Sequence, residues 1–264
     1  MKENIQPTTE TKSILNMKDV LDCFELKYNH QNLKNFAELI NSGYTPLIVS
    51  NHQSHADGFP IALLTEKITD LTDENFNAFY FPIAASMATG HQNEPMKNYL
   101  EKVIPVLESK NLYLIPVTRE KDEKEYGIKD KNFESIKKLL SAYKQGYGVI
   151  YCPEGSVRAG RNDGNGGING MINVEENNSF DGTIERYLKK DIPFCVLQIA
   201  INGTHKFCNP DTYKIEIPDS KITLTVADEI LTNEDFENKN IKPTELVMPK
   251  IAKILPFEAR GIHK

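Results

Sequence analysis

The sequence predicts an α/β protein whose mainly parallel, mixed β-sheet is covered by helices on both faces and preceded by a small N-terminal helical segment. Short, continuous apolar runs, which are typical of strands buried on both faces, alternate along the chain with amphipathic helical patterns. The 264 residues are 39% hydrophobic and 26% charged, which is ordinary for a globular protein that buries a large core.

The N-terminal part is expected to be a polar tail followed by two short helices. Residues 1–12 carry both charge signs and do not resemble a secretory signal. Over residues 17–40 apolar side chains recur at helical spacing, and the sequence N-S-G at 41–43 would end the second helix. We therefore predict two units: a tail and helical segment over 1–42, and an α/β domain over 43–264.

The second unit contains the elements of the predicted sheet. Strands are expected at 45–50, 79–85, 112–117, 149–152 and 192–201, and helices at 59–67, 96–102, 132–144, 180–190 and 245–255. Apolar and polar residues alternate over 214–217 and again over 221–227, which predicts a half-exposed hairpin. A Gly- and Asn-rich stretch from 153 to about 179 is predicted to be a loop, and a loop of that length inside a domain is usually functional or mobile.

Composition excludes several classes of function. The formal net charge of −6 argues against a nucleic-acid-binding protein and against strong adsorption to anionic lipid. The 4 cysteines are far apart and form no C-x-x-C pair, so reduced thiols in a cytosolic protein are expected. The most apolar segment, 192–201, is far shorter than the roughly 20 residues of a membrane-spanning helix. We therefore expect a cytoplasmic protein.

The strongest candidate for a functional site is the polar loop after the first strand of the second unit. The predicted strand 45–50, with its apolar centre, is followed by N-H-Q-S-H-A-D over 51–57, and in α/β proteins the loops just past the strands carry the sites. A carboxylate fixes the tautomer of a neighbouring histidine and stabilises its imidazolium, so a paired His52 and Asp57 can act as a general base. Ser54, three residues before Asp57, is a candidate N-cap in a capping box.

Two other interpretations of these residues stay open. His52 could be a solvated side chain beside an aspartate that only caps the next helix. Alternatively, His52, His55 and Asp57 could bind a metal ion with His91 as a fourth ligand, although one close-spaced triplet is a weak metal signal. We expect no metal, and we expect His55 to line a pocket or to be exposed.

Four sequence blocks resemble those of the glycerolipid acyltransferases, the superfamily of glycerol-3-phosphate and lysophosphatidic acid acyltransferases. The first is H-x-x-x-x-D at 52–57, and the second is I-P-V-T-R at 115–119, a strand that ends in an arginine. The third, P-E-G-S-V-R at 153–158, resembles P-E-G-T-R with Ser for Thr and one extra residue. The fourth is I-P-F-C-V at 192–196. Four blocks in this order are more specific than any one alone.

The resemblance implies an O-acyltransferase of phospholipid biosynthesis with a His–Asp general-base mechanism. His52 would deprotonate a hydroxyl of the acceptor while Asp57 orients the imidazole. The oxygen would attack the thioester of acyl-coenzyme A (acyl-CoA) or acylated acyl carrier protein (acyl-ACP). This thioester is a co-substrate, so no resident cofactor is implied. Positioned proton transfer of this kind is worth typically ~10²–10⁴-fold.

The family pattern places the acceptor's phosphate among Arg119, Glu154, Gly155, Ser156 and Arg158. Planar guanidinium groups bind phosphate oxygens with pairs of hydrogen bonds, which favours the two arginines as phosphate ligands. Glu154 and Gly155 are expected mainly to shape the loop. For either arginine taken singly, the alternative is a surface or Glu-paired side chain.

Within the family, the soluble plastid-type glycerol-3-phosphate acyltransferases are the nearest resemblance. They share an N-terminal helical region and an S-N-H-Q-S/T-x-A-D stretch, here 50–57, but carry S-G-G-R where this chain has E-G-S-V-R at 154–158. The family often carries basic residues where 86–92 here contains only His91. Glycerol-3-phosphate is the first expected acceptor and a 1-acyl glycerophosphate the second, and a peripheral membrane contact would fit either product.

Two other functions stay open. Condensation and chloramphenicol-acetyltransferase-type enzymes use H-x-x-x-D-G, which Asp57-Gly58 resembles, but here four residues separate the histidine from the aspartate. Those enzymes also lack a block like 153–158. The second alternative is a non-catalytic lipid- or partner-binding module that keeps the fold. Its disadvantage is that His52, Asp57 and Arg158 are all present.

Overall fold

The computed structural model of the protein describes residues 20–85, 94–118, 124, 132–154, 179–208, 215–216, 218–219, 221–237 and 241–260. Over these ranges seven strands form one sheet: β1 (Phe24–Lys27), β2 (Thr45–Ser50), β3 (Ala78–Ala84), β4 (Leu112–Val117), β5 (Tyr147–Tyr151), β6 (Phe194–Asn202) and β7 (Ile222–Thr232). Their order across the sheet is β1-β7-β6-β2-β5-β3-β4, so β2 lies at its centre.

Strand direction makes the sheet mainly parallel. β6, β2, β5, β3 and β4 run the same way, whereas β7 is antiparallel to β6, and β1 is parallel to β7. The predicted mainly parallel, mixed α/β class is therefore confirmed. Because parallel strands end at one edge of a sheet, the loops after these five strands meet there. We call it the carboxyl edge, and the edge at which they begin the amino edge.

Helices cover both faces of the sheet. The helices bounded by described residues are α1 (His30–Asn41), α2 (Gly58–Thr69), α3 (Glu94–Glu108), α4 (Asn132–Ser141), α5 (Ser179–Lys189), α6 (Thr204–Phe207) and α7 (Pro243–Ile254). On one face Phe59 of α2 and Val103 of α3 share a core with Ile48 of β2. On the other face Met248 of α7 packs in a core with Leu47. None of these helices is long and apolar enough to cross a membrane.

The central strand shows why an apolar run takes this position. All six residues of β2 are buried, and alternate side chains enter the two cores: Ile48 on one face, Leu47 and Val49 on the other. Burial of each such aliphatic side chain contributes about 1.5–3 kcal/mol. A strand that is apolar on both faces is therefore stable only in the middle of the sheet, and its polar continuation emerges at the carboxyl edge.

Most predicted elements of the second unit are confirmed. β2 and β4 match residue for residue, and the other predicted strands from 45 to 201 are shifted by one or two residues. The predicted helices are found with modest end shifts, except that α3 is longer than predicted, Glu94–Glu108 against 96–102. Its helical stripe continues beyond the first turns, with Val103 and Leu107 buried.

Two predictions outside the central strands are wrong. The first predicted helix of the N-terminal segment instead contains β1, because Phe24 pairs in parallel with Ile222 and stacks on Phe59. The predicted hairpin does not form between the described residues: β7 pairs with β6 and β1, and Ile215 makes an isolated bridge to Cys208. In both cases the apolar pattern covers too few residues to determine the type of secondary structure. The partner strand that is available in the fold determines it instead.

The division into units 1–42 and 43–264 stays a prediction. β1 and α1, which fall in the first unit, pack with the sheet of the second. Asn32 of α1 donates from Nδ2 to the carbonyl of Ala227 in β7 at 2.8 Å. Leu33 and Phe36 of the same helix belong to the core of that face.

Candidate active site

The loop after β2 folds back on itself before α2 begins. β2 ends at Ser50, and a 3₁₀ turn over His55–Asp57 leads into α2. Ser54 caps this turn: its Oγ accepts from the backbone of Ala56 at 3.0 Å, and its N–H donates to Asp57 Oδ2 at 3.2 Å. The predicted capping box is confirmed, and it directs the carboxylate of Asp57 toward the start of the loop.

This arrangement joins the two residues predicted to form the general base. His52 Nδ1 lies 2.8 Å from Asp57 Oδ2. The side chain of Asp57 is 1% exposed, and that of His52 is 18% exposed. The pair is therefore buried at the carboxylate and partly open at the imidazole, as a group that exchanges a proton with a bound substrate requires.

The donors around Asp57 assign the tautomer of His52. Oδ2 accepts the backbone N–H groups of Gln53 at 2.7 Å and Ser54 at 3.2 Å, and Oδ1 accepts the hydroxyl of Thr204. Backbone N–H groups only donate, so Oδ2 is an acceptor toward the imidazole as well. The imidazole proton is thus assigned to Nδ1 and the lone pair to Nε2. No hydrogen bond from a described residue reaches Nε2.

Strand β6 anchors the loop from the neighbouring position in the sheet. Asn51 donates from Nδ2 to the carbonyl of Ile201 at 2.8 Å and accepts the Ile201 N–H at 2.7 Å. Gln53 Oε1 accepts from the backbone of Gly203 at 2.8 Å. Gly203 has a φ of +101°, which suits glycine and lets the chain turn directly from β6 into α6. Side chains of the loop therefore bind the main chain at the end of β6 and immediately after it.

Glu154 supports the histidine from the other side. It follows β5, which pairs with β2, and its carboxylate accepts a hydrogen bond from the backbone N–H of His52. The residue is 2% exposed. Its contact in the structure holds the main chain of His52, and the predicted contact of Glu154 with an acceptor stays a prediction.

Helix α3 closes the 3₁₀ turn. Tyr99 donates its hydroxyl to the carbonyl of His55 at 2.9 Å. Burial raises the pKa of this phenol well above its usual value, with smaller contributions from Cys208 and Asp57. Tyr99 is therefore a fixed donor at neutral pH and does not exchange protons. His55 itself is partly exposed on the turn.

Two thiols near the aspartate are unreactive at neutral pH. Burial, together with the carboxylate of Asp57, raises the pKa of Cys208 to about 12. The pKa of Cys152 is raised well above its usual value by burial, Asp57 and Glu154. Because the thiolate is the reactive form, a raised pKa lowers the nucleophilicity of both cysteines at neutral pH.

The geometry does not support the alternative metal site. In the part of the chain that the structure describes, no three His, Cys, Asp or Glu side chains are arranged to hold a metal ion, and His52, His55 and Asp57 are among those residues. His91, the fourth ligand of that alternative, lies outside the described residues.

Four of the residues predicted to bind the phosphate also lie outside the described residues: Arg119, Gly155, Ser156 and Arg158. The strands that precede them in the sequence end at the carboxyl edge. β4 ends at Val117, two residues before Arg119, and β5 ends just before the block 153–158. Their roles stay predictions.

The sequence analysis did not identify two residues of the site, Thr204 and Tyr99. Thr204 follows a buried strand at the carboxyl edge, so the rule that singled out His52 also applies to it. Tyr99 offered no such signal, because it lies on the apolar stripe of α3 with Met96 and Leu100 and reads as a core residue.

Comparison with known proteins adds no assignment to this geometry. No protein-family model matches the chain, and no curated protein matches it. The fold and the His52–Asp57 pair define an α/β protein with a candidate general-base site at the carboxyl edge of its sheet.

Proposed function

We propose that the protein is an O-acyltransferase that moves a fatty acyl group from a thioester to a hydroxyl of a phosphorylated acceptor. The observation that carries the proposal is the 2.8 Å contact between His52 Nδ1 and Asp57 Oδ2, with Nε2 facing away from the carboxylate. The four ordered sequence blocks supply the reaction class, and the contact supplies a base suited to it.

In the proposed reaction, Nε2 of His52 removes the proton of the acceptor hydroxyl as its oxygen attacks the carbonyl carbon of the thioester. The tetrahedral intermediate then collapses with cleavage of the C–S bond, and the departing thiolate takes the proton back from His52. A C–O ester bond replaces the thioester, so no oxidant, reductant or acyl-enzyme is required. Asp57 stabilises the imidazolium that exists between the two proton transfers.

We assign the acceptor's phosphate to Arg119 and Arg158, with glycerol-3-phosphate as the first acceptor and a 1-acyl glycerophosphate as the second. β5, which precedes Arg158, is the direct neighbour of β2. β4, which precedes Arg119, is three strand spacings or about 14 Å from β2. Both preceding strands therefore end at the same edge of the sheet as β2 and His52.

The donor in this proposal is acyl-CoA or acyl-ACP, and the protein acts in phospholipid biosynthesis in the cytoplasm. The acylated product is amphipathic, so a peripheral contact with a membrane surface would accompany its release.

A screen of acceptors tests the proposal. The purified protein is mixed with acyl-CoA or acyl-ACP and with glycerol-3-phosphate, 1-acyl glycerol-3-phosphate or glycerol. Thiol release is followed by a colorimetric assay, and the products are identified by mass spectrometry. We expect acceptor-dependent thiol release and an ester product with a phosphorylated acceptor only, because the arginines select for phosphate.

Other outcomes point to other functions. Thiol release without any acceptor would indicate a thioesterase. Binding of the acyl thioester without turnover, whichever acceptor is added, would indicate the non-catalytic module that keeps the fold. Either result would overturn the proposed transferase.

A further inference from the structure

Thr204 is the distant partner of the carboxylate that orients the histidine. It begins α6 immediately after Gly203 and is fully buried. Its hydroxyl donates to Asp57 Oδ1, whereas Oδ2 takes the N–H groups of Gln53 and Ser54 and faces the imidazole. In the described part of the chain, the two oxygens of the Asp57 carboxylate thus have separate partners. Oδ2 binds groups in the loop after β2, and Oδ1 binds a residue that follows β6.

We propose that Thr204 is a positioning residue that fixes the plane of the Asp57 carboxylate and, through it, the orientation and tautomer of His52. The kinetic part of this inference rests on the proposed acyltransferase function. The structural part concerns the imidazole alone and holds whatever reaction the site performs.

The reason lies in the freedom of an aspartate side chain. The last torsion of aspartate, which rotates the carboxylate, is broad and only weakly restricted. The N–H groups of Gln53 and Ser54 bind Oδ2, so they restrain this torsion from one side of the Cβ–Cγ bond only. A donor on Oδ1 restrains the same torsion from the opposite side, and the Thr204 hydroxyl provides it.

The turn that carries Thr204 is held independently of its hydroxyl. Asn51 binds both the N–H and the carbonyl of Ile201, and Gln53 accepts the N–H of Gly203. Removal of the hydroxyl should therefore leave α6 in place and affect the carboxylate alone. This separation makes the role of Thr204 testable by substitution.

The test compares Thr204→Val, which keeps the shape and removes the hydroxyl, with Thr204→Ser, which keeps the hydroxyl. For Thr204→Val we expect kcat for acyl transfer to fall about 10- to 100-fold, as when a residue that orients a functional histidine is removed. The acceptor KM should stay unchanged, because the Thr204 side chain is fully buried. Thr204→Ser should restore most of the loss.

Thr65→Val is the matched control. Thr65 is also fully buried, and its hydroxyl donates to the carbonyls of Ala62 and Lys110, away from the site. The Thr65→Val variant should be less stable than the unaltered protein, and its kcat should be the same. Equal losses of kcat in Thr65→Val and Thr204→Val, or a Thr204→Ser variant no better than Thr204→Val, would overturn the inference.

A measurement on the imidazole separates this inference from the proposed function. Long-range ¹H–¹⁵N NMR spectra report the tautomer of His52, and we expect Nδ1–H in the unaltered protein and a mixture of tautomers in Thr204→Val. If acyl transfer is absent but the tautomer responds, the proposed function fails and the positioning role stands. An identical tautomer in both proteins overturns the positioning role.

One observation needs no variant and covers the case in which Thr204→Val does not fold. A buried hydroxyl that donates to a carboxylate exchanges slowly with water. The Thr204 hydroxyl proton should therefore appear as a separate NMR signal in the unaltered protein at neutral pH. If it exchanges as fast as an exposed threonine hydroxyl, the proposal is wrong.

Discussion

The amino and carboxyl edges of the sheet are built by different means. At the amino edge, left-handed backbone conformations reverse the chain before four of the strands. A residue with positive φ precedes each of β2, β4, β5 and β6: Gly43, Asn111, Gly146 and Asp191. The carboxyl edge relies on buried polar side chains, which include Asn51, Gln53, Asp57, Glu154 and Thr204.

This difference separates what shapes the fold from what shapes the site. A left-handed turn needs only a suitable residue at one position, so it specifies the connection locally. A buried polar side chain needs a partner, and a partner lost from the interior costs about 1–3 kcal/mol. Such groups are retained where chemistry requires them. Changes at the amino edge should therefore alter stability alone, and changes at the carboxyl edge should alter activity as well.

The largest effect is expected for His52→Ala at the carboxyl edge. Acyl transfer should fall at least about 100-fold, the low end of general-base effects. The protein should stay folded, because the side chain is partly exposed and belongs to neither core. His30→Ala, an exposed histidine at the start of α1, is the matched control and should behave as the unaltered protein. Transfer near the unaltered rate in His52→Ala would remove the histidine from the mechanism.

The largest stability effect is expected for Gly146→Ala at the amino edge. Gly146 has a φ of +67°, and an added Cβ would lie 2.1 Å from the carbonyl oxygen of Asn75. Left-handed strain and the required backbone shift together should cost about 2–4 kcal/mol in urea unfolding. Gly43→Ala is the control: its φ is +93°, but no atom lies within 4 Å of the added Cβ. It should cost only about 1–2 kcal/mol.

Transfer per folded molecule should be unchanged in both glycine variants. A loss of specific activity in Gly146→Ala without unfolding would show that the two edges are coupled, and would break the comparison.

Glu154→Ala should affect both stability and activity. The backbone N–H of His52 loses its buried acceptor, so unfolding free energy should fall by about 1–3 kcal/mol, with a lower kcat. Urea unfolding and transfer kinetics measure the two effects. If stability is unchanged and only the acceptor KM rises, Glu154 binds substrate and does not position the histidine.

The smallest effect concerns the pH dependence of stability through His205. Burial, then Lys206, lowers the pKa of His205 below its usual 6.5, while Asp57 opposes this. Between the two pKa values the unfolded chain binds more protons than the folded one, so stability falls as the pH drops through that window. We expect the fall in melting temperature between pH 7.5 and 5 to be smaller in His205→Gln. An equal fall in both proteins would contradict this assignment.

The sequence predicted the site contacts between residues close together in the chain, and it missed those between residues far apart in the chain. β2 was predictable because its apolar centre, 47–49, is typical of a buried strand, and the His52–Asp57 pair because a capping box folds the loop back within a few residues. The hydroxyl of Thr204 meets Asp57 across 147 residues, and no periodicity in a single sequence reports such a contact. The strand β1 was missed for the same reason, since its partner β7 lies far along the chain.

The span of these contacts has a consequence for how the site is assembled during synthesis. At ~5–20 residues per second, about 7–30 s separate the synthesis of Asp57 from that of Thr204. The N–H groups of Gln53 and Ser54 are available to the Asp57 carboxylate as soon as the loop emerges, whereas the Thr204 hydroxyl is not. Ile201, the partner of Asn51, is also made late. The capping box thus provides early partners for Asp57, and the full set of its partners is present only after β6 and the start of α6 have been made.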